Sequence, residues 1–215
     1  MIRIEITDVF GWESAIRGMR NPMNSWDKSD TKYEQIAPTL YKRTIGPNDL
    51  TLMKKLVKAG SDHSKFMRMI HVTADITAPL YWWKEYDTYK VGTVANSCST
   101  MHKIASKPIE LSDFSVDDFP LYGEDGLPFS DVFMDIVLDC ETLRKKYIET
   151  GDKRFWRGLI QLLPCSYNQK RTVQLNYAVL RNMYHSRRNH KLDEWRTFCE
   201  WVEELPYAKE LICDE

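Results

Sequence analysis

The stretch from residue 130 to residue 148 constrains the fold more strongly than any other part of the sequence, because its apolar side chains recur at helical spacing. The apolar positions are Val132, Phe133, Ile136, Val137, Cys140, Leu143, Tyr147 and Ile148. Ser130 is a residue type that caps helix N-termini, and Gly151 stands where a helix commonly ends. The pattern predicts one long amphipathic helix, capped by Ser130, whose apolar face forms the core of the protein.

Shorter patterns predict further helices and two strands. The helical patterns cover residues 13–19, 50–58, 155–163, 176–188 and 192–205. Isoleucines alternate with polar residues over positions 2–6, which predicts a strand whose isoleucines face the core, and the β-branched stretch 66–78 predicts a second strand. Residues 24–41 are predicted to form a loop, and residues 104–129 an irregular crossing or a flap. Many helices and few strands predict an α+β fold with a mixed sheet.

The length of 215 residues is enough for one well-formed core and predicts a single domain spanning residues 1–215. The 30 basic and 31 acidic residues leave a net charge of −1, so the chain lacks the positive field typical of nucleic-acid binding. It contains no apolar run near the roughly 18 residues that cross a bilayer, and its N-terminus has no basic region followed by an apolar run. We therefore expect a cytoplasmic protein with no nucleic-acid partner and no membrane partner.

The cysteines are odd in number and widely scattered, with no C-x-x-C pair. They are Cys98, Cys140, Cys165, Cys199 and Cys213. This spacing favours reduced thiols and provides no zinc site. Cys98 shows no paired base and is interpreted as a small buried filler rather than as a nucleophile.

The stretch from Tyr81 to Lys103 joins an aromatic segment to a run of small polar residues, GTVANSCST. Small polar side chains hydrogen-bond locally and favour loops and helix caps, so this run can wrap a polar ligand. Under the alternative interpretation, Trp82 and Trp83 pack in the core and the polar residues form a surface connection. The stretch by itself leaves both interpretations open.

Several segments of the chain follow one another in an order that is typical of one enzyme family. The segments are GSDHSKF at residues 60–66, Ala78-Pro79, YWWKE at residues 81–85, TYKVGTVANSCSTMH at residues 88–102, Leu163-Pro164, Asn176, Arg187-Arg188, His190 and Glu194-Trp195. In this order they resemble the flavin-dependent thymidylate synthases, whose signature is R-H-R-x-x-S-x-N-E-x-S-x-R-Y. The resemblance runs from Met1 to about Trp201 and implies the fold of that family.

Within the signature, the chain differs from the family in charge. Residues 88–90 are Thr, Tyr and Lys where the family has Arg, His and Arg, and Ser97 stands at the family glutamate. Asn96 and Ser99 match the family, with one residue inserted before Asn96. Because charge-assisted hydrogen bonds to phosphate are strong, these substitutions predict altered contacts to the phosphates of flavin and nucleotide.

The resemblance implies an FAD and a deoxypyrimidine monophosphate, which are held without a covalent catalytic side chain. The implied FAD-binding residues are His63, Thr88, Tyr89, Lys90, Asn96 and Asn176. The implied substrate-binding residues are Glu85, Ser97, Ser99, Arg187 and Arg188. One of the two arginines is expected to reach the nucleotide phosphate. Since the family builds each site from several subunits, and these residues lie on separate segments, the resemblance also implies a homotetramer.

The implied function is flavin-dependent transfer of one carbon to C5 of a deoxypyrimidine monophosphate, most directly the methylation of dUMP to dTMP or a substrate variant of it. NADPH and a methylene-folate are the implied co-substrates. Two alternatives remain. A homologue that has lost flavin chemistry would use the same fold to bind a nucleotide. A helical interaction module would instead use the aromatic stripe between Trp195 and Leu205.

Overall fold

The computed structural model of the protein describes residues 2–37, 40–117 and 129–214. The α-helices are α1 (Trp12–Arg20), α2 (Pro47–Lys58), α3 (Leu80–Tyr86), α4 (Thr100–Lys103), α5 (Phe129–Thr150), α6 (Lys153–Leu162), α7 (Tyr177–Arg187), α8 (Asp193–Glu203) and α9 (Ala208–Leu211). The β-strands are β1 (Arg3–Phe10), β2 (Lys32–Ala37), β3 (Leu40–Thr44), β4 (His71–Pro79), β5 (Val94–Ser97) and β6 (Asn168–Asn176). Strands β1, β4, β6 and β5 form one sheet in that order, and β2 pairs antiparallel with β3. The predicted α+β fold class is confirmed.

The chain forms two compact units. Unit 1 contains the described residues of Met1–Glu5, Asp75–Thr88 and Ala95–Thr172. Unit 2 contains those of Ile6–Ala74, Tyr89–Val94 and Val173–Glu215. All four strands of the larger sheet contribute residues to both units. The single domain expected for residues 1–215 stays a prediction.

Helix α5 supplies much of the core of unit 1, as its apolar stripe predicts. Phe133, Val137 and Cys140 are buried and belong to one cluster with Leu159 of α6. Phe114 contacts Phe133 edge-on, with ring centroids 5.4 Å apart. Burying a side chain of this size stabilises the fold by about 1.5 to 3 kcal/mol, so this face accounts for a large part of the stability of unit 1.

The ends of α5 differ from the prediction in two respects. Val132 and Ile148 were assigned to the apolar stripe, but they are 47% and 58% exposed. They lie at the margin of the buried face of the helix rather than at its centre. The helix begins at Phe129, so Ser130 lies within the first turn and the predicted N-cap is wrong. At the other end, Gly151 has a left-handed φ of 68° directly after the helix, as expected for a glycine that ends one.

The predicted crossing after α4 is described only over residues 104–117. This part is irregular apart from one turn at Leu111–Asp113 and an antiparallel bridge between Phe114 and Tyr167, and it is attached to α5. The backbone amide of Ile109 donates to Oε2 of Glu141 over 2.9 Å. Residues 118–128 lie outside the described part of the chain, so the flap stays a prediction.

Helix α3 places its aromatic residues in the core of unit 1. Trp82 and Trp83 are at most 1% exposed, and each packs against Tyr86 with ring centroids 5.3 and 5.1 Å apart. Trp83 also donates from Nε1 to the backbone oxygen of Gln169 over 2.9 Å. The interpretation of these tryptophans as core residues is confirmed.

Aromatic side chains also dominate the core of unit 2. Trp12 of α1 contacts Tyr177 of α7 edge-on, with centroids 5.3 Å apart. The α8 residues Trp195, Phe198 and Val202 are fully buried. Trp201, the fourth residue of the stripe, is half-buried and donates from Nε1 to Oγ1 of Thr7 over 3.1 Å. Because the stripe packs within its own unit, the hypothesis of a helical interaction module is wrong.

The loop predicted for residues 24–41 is also wrong, because β2 and β3 pair within and beyond it. Tyr33 stands opposite Arg43 in their antiparallel register. All six residues of Lys32–Ala37 are exposed, so β2 carries none of the apolar alternation by which a half-buried strand is recognised. Residues 38 and 39 lie outside the described part of the chain.

Three smaller differences concern strands. Ile6 is 77% exposed and has a φ of 51°, which interrupts the expected alternation toward the core. Residues Lys65–Met69 form a 3-10 turn, so the second predicted strand begins only at His71. The polar run predicted as a loop contains β5, whose four residues are exposed at the sheet edge beside β6.

Candidate functional site

Unit 1 contains a cavity of about 470 Å³, within the range typical of small-molecule sites. We call it the basic cavity, because its lining combines cationic side chains with hydroxyl groups. It is lined by Arg3, Thr77, Cys98, Ser99, Thr100, Lys103, Ile104, Lys107, Ser112, Asp113, Tyr167, Asn168, Gln169 and Lys170. Of the residues that the sequence assigned to ligands, Ser99 lies in this lining. Donors of these kinds suit a phosphate group or another anion.

Carboxylates pair with three of the four cations that line the basic cavity. The pairs are Lys107 with Asp113, Lys170 with Asp75 at 3.0 Å, and Arg3 with Glu5 at 3.4 Å. The hydrogen bond from Lys107 to Asp113 raises the pKa of the lysine, so its ammonium group stays charged. Lys103 is exposed and has no carboxylate partner in the described part of the chain. It is therefore the cation with the least competition for an incoming anion.

Ser99 acts as the N-cap of α4, as expected for a serine in this run. Its Oγ accepts a hydrogen bond from the backbone amide of His102 over 3.3 Å. A serine hydroxyl has one hydrogen and two lone pairs, so the hydrogen of Ser99 remains available to a ligand. Lys103 follows Ser99 by four residues, a spacing that places both side chains on the same side of a helical turn.

The other predicted residues of unit 1 lie on α3, in the turn that follows it, and on β5. Glu85 is half-buried in α3, and its backbone oxygen accepts a hydrogen bond from the Thr88 hydroxyl over 2.7 Å. Asn96 and Ser97 are exposed on β5. The described lining of the basic cavity does not include these four residues, and their assignments stay predictions.

Two predicted residues of unit 2 contact each other. Arg187 donates from Nε to the phenolic oxygen of Tyr89 over 2.8 Å. The guanidinium carbon of Arg187 also lies 4.8 Å from the ring centroid of Trp195. Arg188 is exposed, with its guanidinium 5.9 Å from the ring of Tyr184. Arg188 is thus the more accessible of the two arginines.

Asn176, a predicted FAD ligand, caps helix α7. Its Oδ1 accepts from the backbone amide of Val179 over 3.0 Å, and its Nδ2 lies 3.5 Å from the backbone oxygen of Gly92. A Cβ added to Gly92 would lie 2.8 Å from this Nδ2, so the glycine permits the close approach. The other predicted residues of unit 2, His63 and Lys90, are exposed.

All five cysteines are free thiols, in two kinds of environment. Cys140 and Cys199 are buried, and desolvation raises the pKa of Cys140 to about 11 and that of Cys199 to about 12. These two thiols are therefore protonated at neutral pH and chemically inert. Cys98 is exposed and lines the basic cavity, so its interpretation as a buried filler is wrong.

Two other kinds of site do not occur within residues 2–37, 40–117 and 129–214. No group of three or more His, Cys, Asp or Glu residues in these ranges is arranged to hold a metal ion. No helix in the same ranges is long and apolar enough to cross a membrane.

Sequence reasoning missed most of the basic cavity. Arg3, Lys107 and Lys170 come from three separate segments, and no motif connects them. For Lys103 a signal existed, because it follows the predicted ligand Ser99 by one helical turn. For Gln169 the sequence contained no signal, because its place depends on the pairing of distant strands.

No protein-family model and no curated protein matches the chain, whereas solved structures match almost its whole length. Flavin-dependent thymidylate synthase ThyX from Helicobacter pylori, complexed with FAD and dUMP, is similar over 99% of this chain and 98% of its own, with a TM-score of 0.69 and 17% identity. A second structure of ThyX from this organism, also with FAD and dUMP, covers 100% of this chain and 98% of its own, with a TM-score of 0.70 and 17% identity.

A related fold occurs in a second kind of enzyme. The UMP/dUMP methylase PolB from Streptomyces cacaoi, bound with 5-Br dUMP, is similar over 97% of this chain and 91% of its own, with a TM-score of 0.64 and 16% identity. At such low identity the likeness concerns the fold and not the chemistry. The chain has the fold of the flavin-dependent thymidylate synthases, as the order of its sequence segments implied.

Proposed function

We propose that the protein is a flavin-dependent enzyme that transfers one carbon to C5 of a deoxypyrimidine monophosphate, most directly dUMP, and so forms dTMP. The observation that carries this proposal is the basic cavity of unit 1, where Lys103 and the hydroxyls of Ser99 and Thr100 line one space. The fold supports it, because the ThyX structures with this fold are complexes with FAD and dUMP.

The lining of the basic cavity suits both ends of such a nucleotide. Lys103 and Ser99 can donate to phosphate oxygens, and hydrogen bonds with a charged partner are about twice as strong as neutral ones. Asn168 accepts at Oδ1 from the Ser115 hydroxyl over 2.9 Å, which leaves its amide hydrogens for a carbonyl oxygen of a pyrimidine. Tyr167 adds an aromatic ring to the same lining. The proposed role of these residues is to bind and orient the nucleotide.

FAD fits only some of the residues that the resemblance implies. Lys90 and His63 are exposed and can contact its phosphate oxygens. Asn176 fits poorly, since its Oδ1 is already used to cap α7. When bound, reduced FAD would supply the hydride that turns a transferred methylene carbon into a methyl group, with a methylene-folate as carbon source and NADPH as reductant. The chain itself contributes binding and orientation rather than a covalent nucleophile.

The proposal includes a homotetramer in the cytoplasm. The predicted ligand residues occur in both units and on many separate segments, which suits a site completed by other subunits. Light scattering at micromolar concentration should give the mass of four chains. A stable monomer would count strongly against a site of the kind found in the resembling enzymes.

A nucleotide-binding protein without flavin chemistry is the second candidate, and one contact favours it. Tyr89 stands where the family signature has histidine, and its phenolic oxygen accepts a hydrogen bond from Arg187. Two residues that the resemblance assigns to FAD and to nucleotide are therefore engaged with each other. Such a protein would bind dUMP in the basic cavity but would take up no FAD.

Isothermal titration with dUMP and with deoxyuridine tests the nucleotide site. Wild-type protein should bind dUMP about tenfold or more tightly than deoxyuridine, because a charged hydrogen bond contributes about 1.5 to 3 kcal/mol. Lys103→Ala should lower dUMP affinity by about tenfold and leave deoxyuridine affinity unchanged. Lys54→Ala removes an exposed lysine of α2 and is the matched control, with wild-type affinity for both.

A titration with FAD, followed by the visible flavin spectrum, separates the two candidates. Uptake of FAD together with dUMP binding supports the enzyme. Binding of dUMP without uptake of FAD supports the second candidate. Failure to bind either compound contradicts both.

A further inference from the structure

The side chain of Gln169 connects two groups at the edge of the basic cavity. Its Nε2 donates to the backbone oxygen of Cys98 over 3.0 Å and to Oγ1 of Thr100 over 3.1 Å. Its Oε1 accepts from Nε of Arg171 over 2.9 Å. All four residues belong to unit 1.

The chemistry of the neighbours fixes the orientation of this amide. Arg171 can only donate, so the Gln169 atom that faces it must be the oxygen. The carbonyl of Cys98 can only accept, so the atom that faces Cys98 and Thr100 must be the NH₂ group. A flipped amide would place its NH₂ group against the donor Arg171 and its oxygen against the acceptor oxygen of Cys98. Each of these two contacts alone disfavours the flipped orientation.

Arg171 is itself held in place by the core. Its Nη1 donates to Asp87 over 2.7 Å, and its guanidinium carbon lies 4.2 Å from the ring centroid of Trp83. Trp83 is 1% exposed and donates to the backbone oxygen of Gln169. The position of the amide is therefore set by a buried ring and an ion pair rather than by the ligand.

This arrangement determines what the Thr100 hydroxyl offers to the cavity. Its oxygen already accepts one hydrogen from Gln169. In the described part of the chain, the hydroxyl hydrogen of Thr100 has no acceptor, while the residue lines the basic cavity. A hydroxyl that accepts on one side is polarised to donate on the other. The Thr100 hydroxyl therefore keeps its hydrogen and one lone pair available, and its polarisation by Gln169 favours donation of the hydrogen to a ligand.

We propose that Thr100 donates this hydrogen to an anionic oxygen of the bound ligand, and that Gln169 is the positioning residue that holds Thr100 in the donor role. The inference rests on the proposed function, in which that oxygen belongs to the phosphate of a deoxypyrimidine monophosphate. Asp87, Arg171, Gln169 and Thr100 then form a chain of hydrogen bonds that ends at the phosphate. The site thereby favours a group that accepts a hydrogen bond at this position.

Variants of Thr100 test the donor directly. Thr100→Val keeps the shape of the side chain but removes the hydroxyl, and it should lower the affinity for dUMP and for inorganic phosphate by about fivefold to tenfold. Thr100→Ser keeps the hydroxyl and should bind both within about twofold of wild type. The affinity for deoxyuridine, which has no phosphate, should be the same in all three proteins.

A variant of Gln169 tests the positioning role. Gln169→Glu replaces the NH₂ group by a carboxylate oxygen, which accepts the Thr100 hydrogen and turns it away from the ligand. It should lower dUMP affinity by about tenfold in the wild-type background but by only about twofold in the Thr100→Val background. The residual effect is charge repulsion, which both backgrounds share. A residue with a purely structural role would give the same loss in both.

The outcomes separate this proposal from the proposed function. If Thr100→Val binds phosphate compounds with wild-type affinity, Thr100 is not the donor. If Gln169→Glu loses the same dUMP affinity in the wild-type and Thr100→Val backgrounds, Gln169 does not position Thr100. If circular dichroism shows that Gln169→Glu does not fold, the comparison of Thr100→Val with Thr100→Ser decides alone. Binding of inorganic phosphate without dUMP, with the expected pattern of variants, contradicts the proposed function but supports the donor. If the protein binds neither inorganic phosphate nor dUMP, both the donor role of Thr100 and the proposed function are overturned.

Discussion

Arg187 donates from Nε to the phenolic oxygen of Tyr89 over 2.8 Å, although the two residues are 98 positions apart in the sequence. The resemblance assigned one of them to the nucleotide and the other to FAD. The guanidinium also packs against the ring of Trp195, which is fully buried. Arg187 therefore stabilises unit 2 whether or not a ligand is present. Of these two arginines, Arg188 is exposed and Arg187 is half-buried.

This contact predicts different effects for the two arginines. Arg187→Ala should lower the free energy of unfolding by about 1 to 3 kcal/mol, because it removes a hydrogen bond and a cation–π contact. Arg188→Ala should change it by less than about 0.5 kcal/mol, as is usual for exposed positions. Urea denaturation measures both. A larger loss for Arg188→Ala than for Arg187→Ala would contradict this description of unit 2.

If Arg188 is the arginine at the nucleotide phosphate, Arg188→Ala should weaken dUMP binding by about tenfold and leave deoxyuridine binding unchanged. Titration of both compounds against the assembled protein measures this. Wild-type affinity for dUMP in Arg188→Ala would remove Arg188 from the site.

Glu141 makes the stability of unit 1 depend on acid pH. Its carboxylate accepts from Arg144 at Nε over 2.6 Å and at Nη2 over 2.7 Å, and from the backbone amide of Ile109. The hydrogen bonds from Arg144, supported by that of Ile109, lower the pKa of Glu141 from 4.5 to about 2 against the opposing effect of burial.

A carboxylate whose pKa is lowered by folding stabilises fully above its unfolded pKa and loses this effect as the pH falls through its folded pKa. The free energy of unfolding should therefore fall by about 2 to 3 kcal/mol between about pH 4.5 and pH 2 through Glu141. Glu141→Gln should be less stable at pH 7 and should lack this part of the pH dependence. Glu149→Gln, at an exposed carboxylate of the same helix, is the control. Parallel pH profiles for wild type and Glu141→Gln would refute the prediction.

Asp49 is fully buried, and its carboxylate accepts four hydrogen bonds and makes one further ion-pair contact, all within unit 2. The donors are Arg20 Nε at 2.7 Å, Ser29 Oγ at 2.7 Å, Thr31 N at 3.1 Å and Thr31 Oγ1 at 2.6 Å. Arg20 Nη2 forms the ion-pair contact, 2.6 Å from Oδ1. Burial raises the pKa of Asp49, but the hydrogen bonds outweigh this and keep it below its usual value. The residue thereby fixes the segment before β2.

Asp49→Asn should cost about 3 to 5 kcal/mol, because it leaves the buried guanidinium of Arg20 without a counter-charge. Replacing both partners by apolar residues, Arg20→Met with Asp49→Leu, should cost less than the single change. Thermal unfolding of the three proteins measures this. Glu34→Gln, an exposed change on β2, serves as control, and a loss for Asp49→Asn no larger than the control's would contradict the description.

Substitution of Asn176 should lower the stability of the fold even when no cofactor is present. Asn176→Ala removes the N-cap of α7 and should cost about 1 kcal/mol, whereas Asn176→Asp keeps an accepting oxygen and should retain most of the stability. Thermal unfolding without any ligand gives both values. Equal stability of Asn176→Ala and wild type would show that the cap contributes nothing.

The sequence predicted the longer helices well, whereas strands β2, β3, β5 and β6 were not predicted. Helix α5 carries its signal in its own residues, because one face is buried and the period of 3.6 is visible without any partner. Strands β2 and β5 are exposed throughout, so no alternation marks them, and they form because a neighbouring strand supplies hydrogen bonds. Such pairing cannot be predicted from the residues of the strand alone.

The residues of the candidate site show the same contrast between local features and long-range contacts. Ser99 was assigned to the substrate because it matches the serine of the family signature, and its role as a helix cap is a local feature of a small polar residue. The bond between Gln169 and Thr100 joins residues 69 positions apart and follows from the packing of β6. Asn176 was predicted as an FAD ligand from the resemblance, and in the structure its Oδ1 caps helix α7.

Release of tritium from C5-labelled dUMP tests the central claim most directly. The protein is incubated with FAD, NADPH, methylene-tetrahydrofolate and dUMP that carries tritium at C5. The account predicts that tritium appears in water, that dTMP forms in equal amount, and that Lys103→Ala slows both at low dUMP concentration. Binding of dUMP and FAD without any release of tritium or formation of dTMP would contradict one-carbon transfer at C5.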